Sequence, residues 1–255
     1  MNSEHLKMYR YFLKDSIRKK INFRFTDQNQ GIPAPPIEKQ YPDGSNLIDL
    51  PEPDVWKNIP ERDITHAIGN RKSHRVYLKQ SLALEELAYL LWCTQGLKGE
   101  VTHGHAHRNV PSAGCRHSLE TYLAIFNVEG VNPGMYRYLP LSHQLVFEFS
   151  DDMLSEKMVT ASLGQTCPGR SAVTFIWTTI PYRMEWRYDL AAHKVIALDA
   201  GHTCQNLYLA CEAVNAGTCA IAAYDQEALD ELLGLDGEEE FAIYLAPVGK
   251  VKTTI

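Results

Sequence analysis

The chain has 255 residues, 45% of them hydrophobic and 22% charged, with a net charge of −6. That length suits one large domain with a sizeable core, or at most two small ones, and the composition is that of a globular chain and not a disordered one. The acidic balance and the absence of a basic face exclude nucleic acid as a default partner. No apolar stretch of about 18 residues is present to cross a membrane.

The N-terminal stretch MNSEHLKMYRYFLKDSIRKK has neither the apolar core nor the small-residue cleavage site of a secretory signal. The six cysteines form no CxxC pair and read as free thiols, so the expected location is the cytoplasm.

Residues 1–64 carry GIPAPPI (31–37) and further prolines at Pro51, Pro53 and Pro60. Proline fixes φ and removes a donor, so this part reads as an extended arm after a short N-terminal helix, laid across a body or a partner subunit. Residues 65–255 read as the main domain. Leu84, Leu87, Leu90 and Leu91 recur at helical spacing, with Gly96 placed to end the helix. YLAIFNV (122–128), MYRYL (135–139) and QLVFEF (144–149) read as strands, with the turn NPG between the first two. Residues 153–164 read as a helix and AVTFIWTTI (172–180) as a buried strand. The longest helical pattern covers 196–216 and is closed by Gly217; a short helix over 225–233 and a buried strand over 241–249 follow. Helices and strands without strict βαβ alternation predict an α+β fold.

No GxGxxG follows a strand, and GxxxxGK[ST], HExxH and GxSxG are all absent. HGHAH (103–107) sets three histidines at alternate positions, one face of an extended segment. With no adjacent carboxylate or cysteine to complete a set, it reads as a solvated loop and no metal is assigned; Cys115 and His117 lie downstream. In the long helix, Ala197, Ala200, Gly201, Cys204 and Cys211 make a small-residue stripe suited to close helix packing, in the core or at the centre of a dimer. RKSHR (71–75) offers two guanidiniums and a hydroxyl that could grip a phosphate, or a solvated basic turn. RNVPSAG (108–114) is a proline-set turn, and Lys250 a cation near the C-terminus.

Together and in order, RKSHRVY (71–77), LEELAYLLWCTQG (84–96), RNVPSAGCRHSLETYL (108–123), MYRY (135–138), LDAGHTCQNLYLACEAVNAG (198–217), CAIAAYD (219–225) and LAPVGK (245–250) resemble the nitroreductase superfamily, and within it the SagB-type (thiazole/oxazole oxidase-like) dehydrogenases. The resemblance implies a nitroreductase-like α+β fold with a mixed central sheet flanked by helices, and a homodimer with two FMN sites at the subunit interface. It implies that Arg71, Ser73 and Arg75 bind the flavin phosphate and ring edge and that Gly249 and Lys250 complete the phosphate clamp. Pro111, Ser112, Ala113 and Gly114 would come from the other subunit, and Ile221, Ala222 and Ala223 would lie over the flavin near N5. The family usually has glycine or an acidic residue in that last turn, where this chain has two alanines.

Azoline-oxidising relatives carry a Lys-Tyr pair where this chain has Arg187 and Tyr188; an arginine cannot serve as a base. The expected activity is hydride transfer through flavin N5, with a small-molecule or peptide-derived substrate and NAD(P)H as a possible reductant. Tyr188 would be the proton donor or acceptor and Arg187 an anion-orienting group. The alternatives are a non-catalytic flavin-binding accessory protein of a peptide-modifying complex, and a flavin-fragmenting or dehalogenating relative.

Overall fold

The computed structural model describes residues 3–102 and 104–252. The chain opens with α1 (Ser3–Phe12) and two short 3-10 turns, then contributes β1 (Leu47–Asp49) and α2 (Ile64–Asn70). α3 (Leu84–Gln95) leads into a hairpin of β2 (Leu97–Thr102) and β3 (His105–Arg108). There follow β4 (Leu119–Ile125), β5 (Gly134–Leu139), β6 (Gln144–Phe149), α4 (Leu154–Ala161), α5 (Cys167–Arg170), β7 (Val173–Thr179) and α6 (Tyr182–Tyr188). The last elements are α7 (Ala192–Ala213), β8 (Ala216–Thr218), α8 (Gln226–Leu233) and β9 (Phe241–Lys250).

Seven strands form one sheet in the order β1-β6-β5-β4-β7-β9-β8. Its ladders are antiparallel, and isolated parallel bridges at Ser73–Thr218 and Leu82–Val128 add the other sense. Every residue of β4, β5 and β7 is buried, because helices cover both faces. Alternation along β4 divides the core: Leu123 and Ile125 meet α3 and α7 through Leu87, Leu91, Cys204 and Leu207, while Tyr122 and Ala124 meet α4 and α8 through Met158 and Leu229. This is an α+β architecture, a central sheet flanked by helices.

The arm lies across the body. β1 adds to the sheet as its edge strand, pairing with β6, Leu47 opposite Val146. Arg137 donates to the Lys39 and Gln40 carbonyls at 2.8 and 3.1 Å, and Lys39 Nζ reaches Glu240 at 2.5 Å. Trp56 is wedged edge-on between Tyr89 and Trp92.

Three sequence expectations need correction. The long helix spans Ala192–Ala213, and Gly217 does not close it but sits in β8, paired with Gly249 of β9. The small-residue stripe does not form one face: Ala200, Cys204 and Cys211 are buried, whereas Ala197, Leu198, Gly201, His202 and Gln205 form the exposed face. HGHAH is not an open loop but runs into the β2–β3 hairpin; His103 lies outside the described residues.

Candidate functional site

The predicted binding residues fall into two groups at different heights on α7. The first gathers around Tyr208. Asp63 caps α2 by accepting from the His66 amide at 2.9 Å, and the helix ends at Arg71. The Arg71 guanidinium lies 5.2 Å from the Tyr208 ring centroid. Ser73 Oγ and the Tyr208 hydroxyl share a 2.8 Å hydrogen bond, and that hydroxyl also accepts from the Ala220 amide at 2.8 Å. The backbone after Arg71 is pinned to β8, with the His74 amide donating to the Thr218 carbonyl at 2.9 Å. A Cβ on Gly217 would stand 2.6 Å from the His74 ring, so this approach requires glycine. Arg71 and exposed Arg75 have no ion-pair partner among the described residues.

The turn after Ala220 continues from the same hub. Ile221 is buried and bridges Leu245, donating and accepting at 2.8 and 3.0 Å. Ala222 and Ala223 are exposed; the Ala223 carbonyl accepts from Gln165 at 2.8 Å, while the amides of both alanines make no hydrogen bond among the described residues. Lys250 is placed differently from the other cations. It is buried, and its amino group donates to Glu86 and, at 2.8 Å, to the Val214 carbonyl. Glu86 in turn accepts from the Ala83 amide at 3.0 Å and so caps α3. Gly249 packs against Tyr77, 2.8 Å from where its Cβ would be.

The second group lies at the other end of the α7 face. In the turn 111–114, Ser112 Oγ accepts from the His117 amide at 3.0 Å and the Ala113 amide donates to Asp199 at 3.2 Å. Gly114 has φ +60°, and its Cβ would lie 2.6 Å from the Tyr188 hydroxyl and 2.9 Å from Arg187 Nε. The turn, Tyr188 and Arg187 are therefore one contact set. Cys115, His117 and Asp189 also hold positive φ (54°, 46° and 49°), so strained backbone concentrates around Tyr188. Burial, helped by the neighbouring Arg108 charge, pushes the His117 imidazole down to about 3, which keeps it neutral near pH 7. Burial raises the Asp199 carboxyl above its ordinary range.

Within one chain the two groups do not meet. Asp199 and Tyr208 are nine positions apart on α7, about 13 Å at 1.5 Å per residue. Tyr208, Asp199 and Glu86 were not assigned roles from sequence. Asp199 carried a signal, a carboxylate breaking an apolar helix; Tyr208 carried none beyond core spacing. Among the described residues no group of His, Cys, Asp and Glu is placed to hold a metal ion, and no helix is long and apolar enough to cross a membrane.

The nitroreductase family pattern matches residues 68–250. A Methanocaldococcus jannaschii protein assigned as a nitroreductase is 28% identical over 193 residues, 76% of this chain and 93% of that one. The crystal structure of an assigned nitroreductase from Ralstonia eutropha superposes with a TM-score of 0.65 at 24% identity, covering 87% of this chain and all of the other. A counterpart from Anabaena variabilis also gives 0.65, at 22% identity over 82% of this chain, which spans only 42% of its length. A chain of the E. coli microcin synthetase McbBCD complex with truncated pro-MccB17 bound gives 0.59, at 19% identity over 79% of this chain and 77% of the other. At these identities the structures speak for the fold, and the pattern match decides the family: the chain belongs to the nitroreductase family.

Proposed function

We propose that the protein is an FMN-dependent oxidoreductase of SagB type, acting as a cytoplasmic homodimer on a small-molecule or peptide-derived substrate, with NAD(P)H as reductant. One observation carries the reading. Arg71, over the Tyr208 ring, and Arg75 have no carboxylate partner among the described residues, and the turn tied to the same Tyr208 leaves its Ala222 and Ala223 amides unpaired among them. Unpaired cations suit a phosphate, and unpaired amides suit the acceptor edge of a flavin. The buried Thr218 hydroxyl, also without a partner among the described residues, adds a donor next to Ser73. These residues fit FMN: Arg71, Ser73 and Arg75 would hold its phosphate, and the 221–223 turn would face its ring. Lys250 would support this arrangement from below through Glu86 and not touch the phosphate. Bound there, FMN would supply a two-electron redox centre that gains and gives up hydride.

A two-fold axis completes the site. An isologous contact of α7 with its antiparallel copy, centred near Gly201, would set Tyr208 of one protomer level with the start of α7, just after Tyr188, of the other. The exposed face Ala197, Leu198, Gly201, His202 and Gln205 is centred near Gly201 and has the small residues that close helix contact needs. Ser112, Ala113 and Tyr188 would then close the pocket over the flavin held by the partner. Tyr188 would hold or release a proton at its hydroxyl. With Arg187 where azoline oxidases have lysine, the base for azoline oxidation is lacking.

The test is direct. The purified protein should be yellow, release FMN on denaturation, and be reduced by NADH or NADPH. A colourless protein that takes up no added FMN would sink the reading; a yellow protein that no reductant or acceptor turns over would leave a flavin-binding accessory protein.

A further inference from the structure

We infer that Arg187 and Arg116 form an oxyanion subsite beside Tyr188, so that the substrate of the proposed oxidoreductase carries a carboxylate or phosphate group. The inference rests on the reading that Tyr188 borders the flavin pocket, and deepens it by naming a substrate class.

The other arginines buried in this half of the molecule have acidic company. Arg183 meets Glu120 at 2.6 Å, and Arg137 meets Glu148 at 2.8 Å with Glu120 at 3.8 Å. Arg108 donates to Gln95 and to the Ile37 carbonyl, at 2.8 and 2.9 Å, within the field of Glu120 and Glu38. Arg116 is the exception. Its side chain is 0% exposed and its guanidinium lies over the Trp186 ring at 4.7 Å. Nε donates to the Arg183 carbonyl at 3.0 Å and Nη1 to the Gly104 carbonyl at 3.1 Å, but buried Nη2 has no partner among the described residues. Burial and the charges of Arg187 and Arg183 hold its pKa down; Arg183 is paired with Glu120, but Arg116 makes no ion pair of its own among the described residues.

Arg187 is the open half of the pair. It projects from the last turn of α6 against Gly114, where an added Cβ would meet its Nε and Cδ at 2.9 Å, and it makes no ion pair among the described residues. Its flanking acids are engaged elsewhere: Glu185 accepts from His193 at 2.8 Å, and Asp189 from the Leu190 amide at 2.6 Å. Two guanidiniums that repel each other, one buried with an unused donor and one accessible, lack an anion. Uncompensated buried charge is costly, and the guanidinium fork matches the two oxygens of a carboxylate or phosphate. A substrate oxyanion here would place its reacting carbon near the Tyr188 hydroxyl.

The test is calorimetric titration of the FMN-saturated protein with three inert probes of similar shape: benzoate, phenyl phosphate and benzamide. At least one anion should bind ten-fold or more tighter than benzamide, and whichever binds tighter identifies the group. Arg187→Gln should remove that preference, while Arg187→Lys should keep part of it as a point charge without the fork. Equal binding of all three probes, or an anion preference unchanged in Arg187→Gln, would overturn the subsite. The flavin content of the same samples reads the parent proposal separately: anion binding that depends on Arg187 in a protein that takes up no FMN would fail the flavin reading alone.

Discussion

Ser73 and Tyr208 are 135 positions apart in sequence and share a 2.8 Å hydrogen bond between their hydroxyls. The Tyr208 oxygen also accepts from the Ala220 amide at 2.8 Å, so one phenol ties the basic turn 71–75 to the exposed turn 220–223. The two parts of the proposed flavin site on one protomer are thus set relative to each other by a core residue that would touch no ligand.

Tyr208→Phe removes both bonds without emptying the ring's space. A net hydrogen bond contributes about 1 kcal/mol, and an unsatisfied amide costs about 1–3 kcal/mol. FMN affinity should fall roughly 5- to 30-fold by fluorescence titration, at about 1.4 kcal/mol per factor of ten. Unchanged affinity would show that the two turns hold their places without the phenol.

Lys250 gives the contrasting case. Breaking a buried ion pair by removing one partner costs about 3–5 kcal/mol. Lys250→Met should therefore lower Tm by about 6–20 °C, with FMN and riboflavin affinities altered alike. A selective loss of FMN would return Lys250 to the phosphate.

Gly201 tests the two-fold contact. Nothing lies within 4 Å of where its Cβ would be, so Gly201→Glu leaves the single chain undisturbed. In a close helix–helix contact the same carboxylate would be buried and unpaired. Sedimentation should show the wild type as a dimer at micromolar concentration and Gly201→Glu as a folded monomer that has lost its flavin. A Gly201→Glu dimer that keeps its flavin would move the contact off α7.

What the sequence disclosed and what it hid follow from the range of the interactions. β4, β7 and β9 were legible because strands covered on both faces are apolar runs, and α8 because its Asp225 cap and Gly234 stop are local. β8 was not: its three residues are a strand only through their pairing with β9, Gly217 opposite Gly249. Arg71, Ser73 and Arg75 stand close in sequence and were found together. The partner of Lys250 lies 164 positions away at Glu86, and no local pattern reports that kind of pairing. Nor could spacing tell which residues of the α7 stripe face the core, since that depends on how the helix is rotated on the sheet.

His117 sets a pH dependence. Its folded pKa, about 3, lies below the unfolded value of about 6.5, so the unfolded chain binds the extra proton between those values. Stability is therefore full above about pH 6.5 and is lost as pH falls towards 3, by up to about 1.4 kcal/mol per pH unit for this one proton. His74 and His143 are also held low and act in the same direction, so the difference between variant and wild type isolates His117. Asparagine tolerates the left-handed backbone at this position. His117→Asn should show a shallower fall of Tm from pH 6.5 to 4; parallel curves would mean that His117 titrates normally.

The phosphate grip turns on Arg71. FMN carries a phosphate with close to two negative charges at neutral pH, and burying it needs fixed cations. Arg71 ends α2 with its guanidinium over the Tyr208 ring and no carboxylate of its own among the described residues. It can offer two parallel N–H donors, which lysine cannot. Truncating one partner of a desolvated charge pair costs about 2–5 kcal/mol. Arg71→Ala should therefore weaken FMN binding by roughly 30-fold or more, at about 1.4 kcal/mol per factor of ten. Riboflavin, which lacks the phosphate, should lose far less, and Arg71→Lys should fall between wild type and alanine. Equal weakening for FMN and riboflavin would mean that Arg71 serves the fold by stacking on Tyr208. No weakening for either would place the phosphate elsewhere, with Arg75 the next cation to test.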